Sequence, residues 1–186
     1  WHAGWTNENL YEELIVESSQ LTGSYGSGGW ASGPDNSAPG PNGPRNVVYN
    51  CNITSMKTGL WLGGMNEGWL ILHNRFVVGR GPALYAKDAS FDHVFQDNVF
   101  VMLEPQPAAI WLGTPDCTGL EFIGNRFYGP VKTLFGGAVA PAVDRDNRIR
   151  ASGGISRPRP ATRSIYEWEQ SHREEIWAQQ AQRAAH

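Results

Sequence analysis

The chain has 186 residues, of which 40 % are hydrophobic and only 18 % charged, and its formal net charge is −3. That is enough apolar material for one domain with a sizeable core, and too much for a disordered chain. The weak negative charge excludes a surface held to nucleic acid or anionic membrane by basic residues, and there is no apolar run of about 18 residues to span a bilayer.

Glycine (22) and proline (12) are abundant, and helical patterning is scarce before residue 164. An all-β, turn-rich body is expected. Trp1 rather than Met stands first, which reads as a processed form or a piece of a longer polypeptide.

In chain order, the first strand-like segment is Leu14-Ile-Val-Glu-Ser-Ser-Gln20-Leu21. A Gly/Pro/Ser-rich loop follows over residues 23–45, with Trp30 at its middle. Loops of this length in compact domains are functional or flexible, and Trp30 is expected to fold back over the body, as in a ligand-covering loop. The loop lacks the Gly-Lys-Ser/Thr ending and strand–helix context of a phosphate-binding loop.

From residue 49 a repeat takes over. Tyr49-Asn-Cys-Asn52-Ile-Thr54, Ile71-Leu-His-Asn74-Arg-Phe76, Phe95-Gln-Asp-Asn98-Val-Phe100 and Phe122-Ile-Gly-Asn125-Arg-Phe127 read alike, with a weaker copy at Asp144-Arg-Asp-Asn147-Arg-Ile149. Their asparagines lie 22, 24, 27 and 22 residues apart. A second motif alternates with the first: Gly59-Leu-Trp-Leu-Gly63, Ala83-Leu-Tyr-Ala86, Ala109-Ile-Trp-Leu-Gly113 and Thr133-Leu-Phe-Gly136. Short β-type segments at such a period indicate a solenoid that stacks like residues on like. Asn52, Asn74, Asn98, Asn125 and Asn147 are then expected to form a buried amide ladder, with Thr54, Phe76, Phe100, Phe127 and Ile149 stacked inward two residues later. A ladder of this kind is structural, since it satisfies buried backbone groups at a corner. Asn52-Ile-Thr54 is a glycosylation sequon, and the expected burial of Asn52 argues against its use.

Over residues 45–150 this alternation resembles the right-handed parallel β-helix repeat of the pectate-lyase-like superfamily. The fold expected is all-β: a right-handed parallel β-helix of about five to six coils over residues 1–150, with a C-terminal α-helix. The resemblance implies a carbohydrate-related role, most often with acidic polysaccharides, in an extracellular or periplasmic protein. The Asp-Asp and Gly-His-Gly motifs of the superfamily's polygalacturonase-type hydrolases are absent, as is the pectate-lyase motif.

The coil register places Cys51 and Cys117 about three coils apart, or ~14 Å at ~4.8 Å per coil. A disulfide needs Cα atoms within about 7 Å, so two free, largely buried thiols are expected. Period-2 alternation puts Leu60, Leu84, Ile110 and Leu134 inside and Trp61, Tyr85, Trp111 and Phe135 outside. Such an outward aromatic stripe can stack against sugar rings, or be covered by the chain's own elements or by another protomer.

The densest ionisable cluster of the repeats is Lys87-Asp88, with Arg80 before it and Asp92-His93 after it. A β-elimination lyase needs a base for the proton alpha to a uronate carboxylate, and cations for the enolate that forms. Lys87, Arg80 and His93 are the candidates. A hydrolase would use paired carboxylates, with Asp88 and Asp92 the nearest pair. The competing reading is a solvated turn of ordinary surface charges. His93 aligns with Val47, Trp69 and Leu120, which favours a tucked-in structural histidine. His73 and Asp97 look like corner residues, and Arg75, Arg126 and Arg148 share one outward column. No metal-ligand spacing is present and no cofactor is implied.

Residues 151–163 read as a linker. Ser164-Ile-Tyr-Glu167 is a capping box opening a helix within residues 164–186, running from Ile165 to about Arg183. Ile165, Trp168, His172, Ile176 and Gln179 share one face. That helix is expected to pack on the β-helix or close its open end, or to bind a partner subunit through Trp168 and Trp177. Two functions stand side by side: a polysaccharide-active enzyme, lyase before hydrolase, and a non-catalytic binding or assembly module that contacts a glycan, a protein partner or a second copy.

Overall fold

The computed structural model describes residues 7–18, 43–63, 65–152 and 163–184, together with the backbone of 29–32. Most of the expected 23–45 loop and residues 153–162 of the expected linker lie outside the described residues.

The described chain is a parallel β-helix of about four turns with two C-terminal helices. All strand pairs are parallel. Four walls recur in chain order. Wall 1 stacks Leu10–Glu12, Val47–Tyr49, Leu70–Leu72, Val94–Gln96, Glu121–Ile123 and Val143–Arg145. Wall 2 stacks Ile15–Ser18, Asn52–Ser55, Arg75–Val78, Val99–Met102, Arg126–Tyr128 and Arg148–Arg150. Wall 3 holds Gly29–Ser32, Leu60–Gly63, Leu84–Ala86, Gln106–Leu112 and Val131–Gly137. The short wall 4 holds Asn66–Glu67, Ser90–Phe91 and Cys117–Thr118. Walls 3 and 4 have fewer strands than walls 1 and 2, so the turn count falls short of the five or six expected. Gly29–Ser32 is a strand paired with Leu60–Gly63, so the segment expected to be all loop contributes to wall 3.

The corner between walls 1 and 2 explains the asparagines. Glu13, Asn50, His73, Asp97, Gly124 and Asp146 all occupy the left-handed region, with φ between 52° and 66°. Asn and Asp tolerate this region better than most residues, and Gly adopts it freely. From Asn50 on, the residue after each turns inward. Asn74 donates from its backbone N–H and Nδ2 to Asn98 Oδ1 (2.9 and 3.1 Å), Asn98 does the same to Asn125 (3.0 and 3.0 Å), and Asn125 to Asn147 (2.9 and 2.9 Å). Each Nδ2 also donates to a wall 1 carbonyl, as Asn98 does to Ile71 O at 2.8 Å.

Asn52 is not in this ladder. Cys51 occupies its place, donating its backbone N–H to Asn74 Oδ1 at 2.8 Å. Asn52 pairs with Arg75 on wall 2, and its Oδ1 accepts from Arg75 Nη1 at 3.0 Å. The one-residue shift puts Ile53, not Thr54, over Phe76. It also removes the burial argument against the sequon.

Inside, Phe76, Phe100 and Phe127 stack with centroids 4.9 and 4.8 Å apart, and Phe95 stacks on Phe122 at 4.7 Å. The ring spacing is the strand spacing. Cys51 and Cys117 are buried and free, and burial raises the Cys117 thiol above its ordinary pKa. The expected single helix is two, α1 (Ile165–Ser171) and α2 (Arg173–Ala184), broken at His172. Ser164 Oγ caps α1 by accepting from the Glu167 N–H.

Candidate functional site

Wall 3 carries the outward aromatics. Register places Trp61 beside Tyr85 and Tyr85 beside Trp111, and the backbone of Trp30 lies opposite Trp61. The flanking Leu60, Leu62, Leu84, Ala86, Ile110 and Leu112 are all buried. The Trp61 and Tyr85 rings meet edge-on at 5.1 Å. Trp111 is the most open of these rings, at 38 % exposure.

Phe135 does not continue the column. The strand Val131–Gly137 pairs one residue away from the expected register, so Phe135 lies opposite Ile110 and Gly136 opposite Trp111. Phe135 turns its ring towards Phe122 at 5.2 Å and packs on the core. The physical reason lies at Gly136, where a Cβ would come within 3.0 Å of the Trp111 ring carbons Cε3 and Cζ3. A side chain there would displace the tryptophan. Tyr85 similarly leans on Gly113, where a Cβ would lie 3.3 Å from its ring and 2.9 Å from Ala86 O. These glycines, recurring just past the motif, seat the aromatic rings.

Of the four ionisable candidates, two form a pair and two are engaged elsewhere. Lys87 and Asp88 follow Leu84–Ala86 and pair with each other at 3.7 Å. Arg80 precedes the same strand, at the opposite corner, and pairs with Glu104 at 3.5 Å. His93 is sealed inside the solenoid. It follows a second left-handed corner, formed by Glu8, Arg45, Gly68, Asp92 and Gly119. Its column contains Asn46 and Trp69, not Val47. There it takes an asparagine's role: Nδ1 accepts from the Trp69 N–H at 3.0 Å, as Asn46 Oδ1 accepts from the Asn9 N–H at 3.2 Å. Burial drives its pKa down to about 3. The ring is neutral, the proton sits on Nε2, and Nε2 has no hydrogen-bond partner among the described residues. A group so enclosed cannot take a proton from a polymer lying outside. Asp92 is an exposed corner residue, and His73 and Asp97 share their corner with Asn50 and Gly124.

Arg75, Arg126 and Arg148 form one column on wall 2, with burial lowering the Arg75 pKa from its usual value. No cluster of three or more His, Cys, Asp or Glu residues fit for a metal exists among the described residues. No helix among them is long and apolar enough to cross a membrane. Comparison of the chain with profiles of known protein families, with curated proteins and with solved structures finds no match.

Proposed function

We propose that this chain is a binding module that receives a polysaccharide along the aromatic column of wall 3. The observation that carries the reading is the outward register of Trp61, Tyr85 and Trp111, with the Trp111 ring left open. Aromatic rings supply a large apolar face at little entropic cost, which suits the C–H faces of sugars. Trp111 is exposed and Trp61 and Tyr85 are part-buried beside it, and an outward apolar patch supports an interaction site. The likeness of the repeat to the pectate-lyase-like superfamily supports the same class of ligand, acidic polysaccharides included, and an extracellular or periplasmic setting. Fold alone is a weak guide to function. Because His93 is sealed in the core and Arg80 pairs with Glu104 at the other corner from the Lys87–Asp88 pair, binding rather than β-elimination is the activity proposed.

Affinity gel electrophoresis against neutral and uronic-acid polysaccharides tests this reading. Retardation by at least one polymer, lost in Trp111→Ala, is expected. Equal mobility with and without every polymer overturns it. Release of unsaturated uronate that falls in Lys87→Ala would restore the lyase reading.

A second reading, a protein-contact module, has its own observation. Tyr166, Trp168 and Trp177 of the C-terminal helices are each half or more exposed. Binding of a protein partner that Trp177→Ala abolishes, with polysaccharide binding absent, would favour it.

A further inference from the structure

Among the described residues, the hydrogen bonds from the β-helix to the C-terminal arm all reach residues 163–166. Glu12, on the first strand of wall 1, directs its carboxylate at the start of α1. It accepts from the backbone N–H of Ile165 at 2.6 Å, from that of Tyr166 at 3.1 Å and from the Ser164 hydroxyl at 3.1 Å. One residue earlier, the Arg163 carbonyl accepts from the Tyr49 hydroxyl at 2.8 Å. Tyr49 neighbours Glu12 across the strand pair, so both anchors come from one spot on wall 1.

Past the first turn, the side-chain contacts seen stay within the arm. Trp168 stacks on His172 at 4.5 Å, Arg173 lies over the Trp177 ring at 4.7 Å, and Gln179 donates to Glu175. No described residue of α1 or α2 is fully buried. Among the described residues the arm shows little of the apolar burial that ordinarily fixes a helix to its domain, with only Ile165 and Ile176 of its apolar side chains part-buried. Its attachment rests on polar groups, and the strongest is an ionised carboxylate on two free N–H groups at the positive end of a helix.

We propose that Glu12 is a latch: it holds a separable helical arm against the first turns of the β-helix, and removing its carboxylate frees the arm while the β-helix stays folded. Both carboxylate oxygens are used, Oε1 by the Ile165 N–H and Oε2 by the Tyr166 N–H and the Ser164 hydroxyl. An amide in its place has one acceptor oxygen instead of two and no charge to strengthen the bonds.

Backbone 15N relaxation and amide hydrogen exchange on the full chain test the latch. In Glu12→Gln, amides of residues 165–184 are expected to exchange about tenfold faster and to show independent fast motion, while those of residues 94–128 keep their protection. Ser164→Ala, which leaves wall 1 untouched, is expected to act in the same direction and more weakly. An arm that stays as rigid in both variants as in the wild type overturns the proposal. So does a β-helix that loses protection together with the arm in Ser164→Ala.

Discussion

The interior and the outer face of this solenoid both carry aromatic columns, and they obey different rules. Inside, Phe76, Phe100 and Phe127 repeat one residue type and lie within 10° of parallel. Outside, Trp61 and Tyr85 differ in type and meet at 72°. The rise per turn is set by backbone hydrogen bonds in both places. Inside, however, each ring is clamped above, below and on its flanks by a close-packed core. Outside, a ring leans on a glycine of the neighbouring turn, as Tyr85 does on Gly113 and Trp111 on Gly136, and Tyr85 also meets Trp61 edge-on. The inward column is enclosed by the fold, and the outward one leaves Trp111 open.

The contrast breaks most visibly if the inner column is cut. Phe100 stacks on rings at both faces and is almost wholly buried. Phe100→Ala is expected to cost about 4 kcal/mol in urea unfolding, from lost transfer energy plus a cavity between turns that cannot collapse. A loss below ~1 kcal/mol would mean that the rings are not clamped.

The amide ladder gives the next largest effect. Asn98→Ala strands the Asn74 N–H and Nδ2 and the Ile71 carbonyl, all partners of Asn98 here. The expected loss is about 3 kcal/mol, since buried groups left unpaired carry their full desolvation penalty. Asn52→Ala removes only an acceptor of Arg75 on wall 2, and about 0.5 kcal/mol or less is expected. Equal losses at the two asparagines would contradict the register that puts Cys51 in the ladder.

His93 sharpens the comparison by pH. Its pKa is about 3 in the folded protein, against an ordinary value near 6.5. Between these values the unfolded chain binds a proton that the folded chain refuses, so stability falls as pH drops below about 6.5, by about 1.4 kcal/mol per pH unit from this group. His93→Asn keeps an acceptor for the Trp69 N–H, as Asn46 does two turns earlier for Asn9, and should flatten that slope in urea titrations between pH 6.5 and 4.5. An unchanged slope would show that other groups govern acid unfolding.

Much of this architecture is legible in the sequence because stacking repeats its chemistry. The Asn-x-Phe step and the Leu-aromatic-Leu step disclose a parallel β-helix, two free thiols and a capped C-terminal helix. Errors arose where one residue type occurs at two neighbouring positions. Asn50 and Asn52 flank Cys51, and matching on asparagine shifted the turn by one. The apolar positions Val48 and Ile53 hold the true register against Ile71 and Phe76. The adjacent glycines 136 and 137 likewise misplaced Phe135, because a glycine can lie beneath an outward ring as well as end a strand. The ionisable residues around Lys87 show what spacing along the chain does not disclose. Neighbours in sequence at a corner point to different compartments of a solenoid, so Lys87 and His93 are separated by the wall between solvent and core.

The smallest stability effect carries the most functional weight. Trp111 is open on one side and seated on Gly136 on the other. Trp111→Ala should therefore cost about 1 kcal/mol or less in urea unfolding, because a half-exposed ring loses only part of its burial. Gly136→Ala moves the same ring without deleting it, since a Cβ there meets Trp111 at 3.0 Å. If the column is a ligand platform, both variants weaken polysaccharide retardation while the fold persists, Trp111→Ala more than Gly136→Ala. If the tryptophan merely fills wall 3, stability falls in each and binding follows neither. Measured on the same pair of variants, the two losses separate an outward ring kept for a ligand from one kept for the fold.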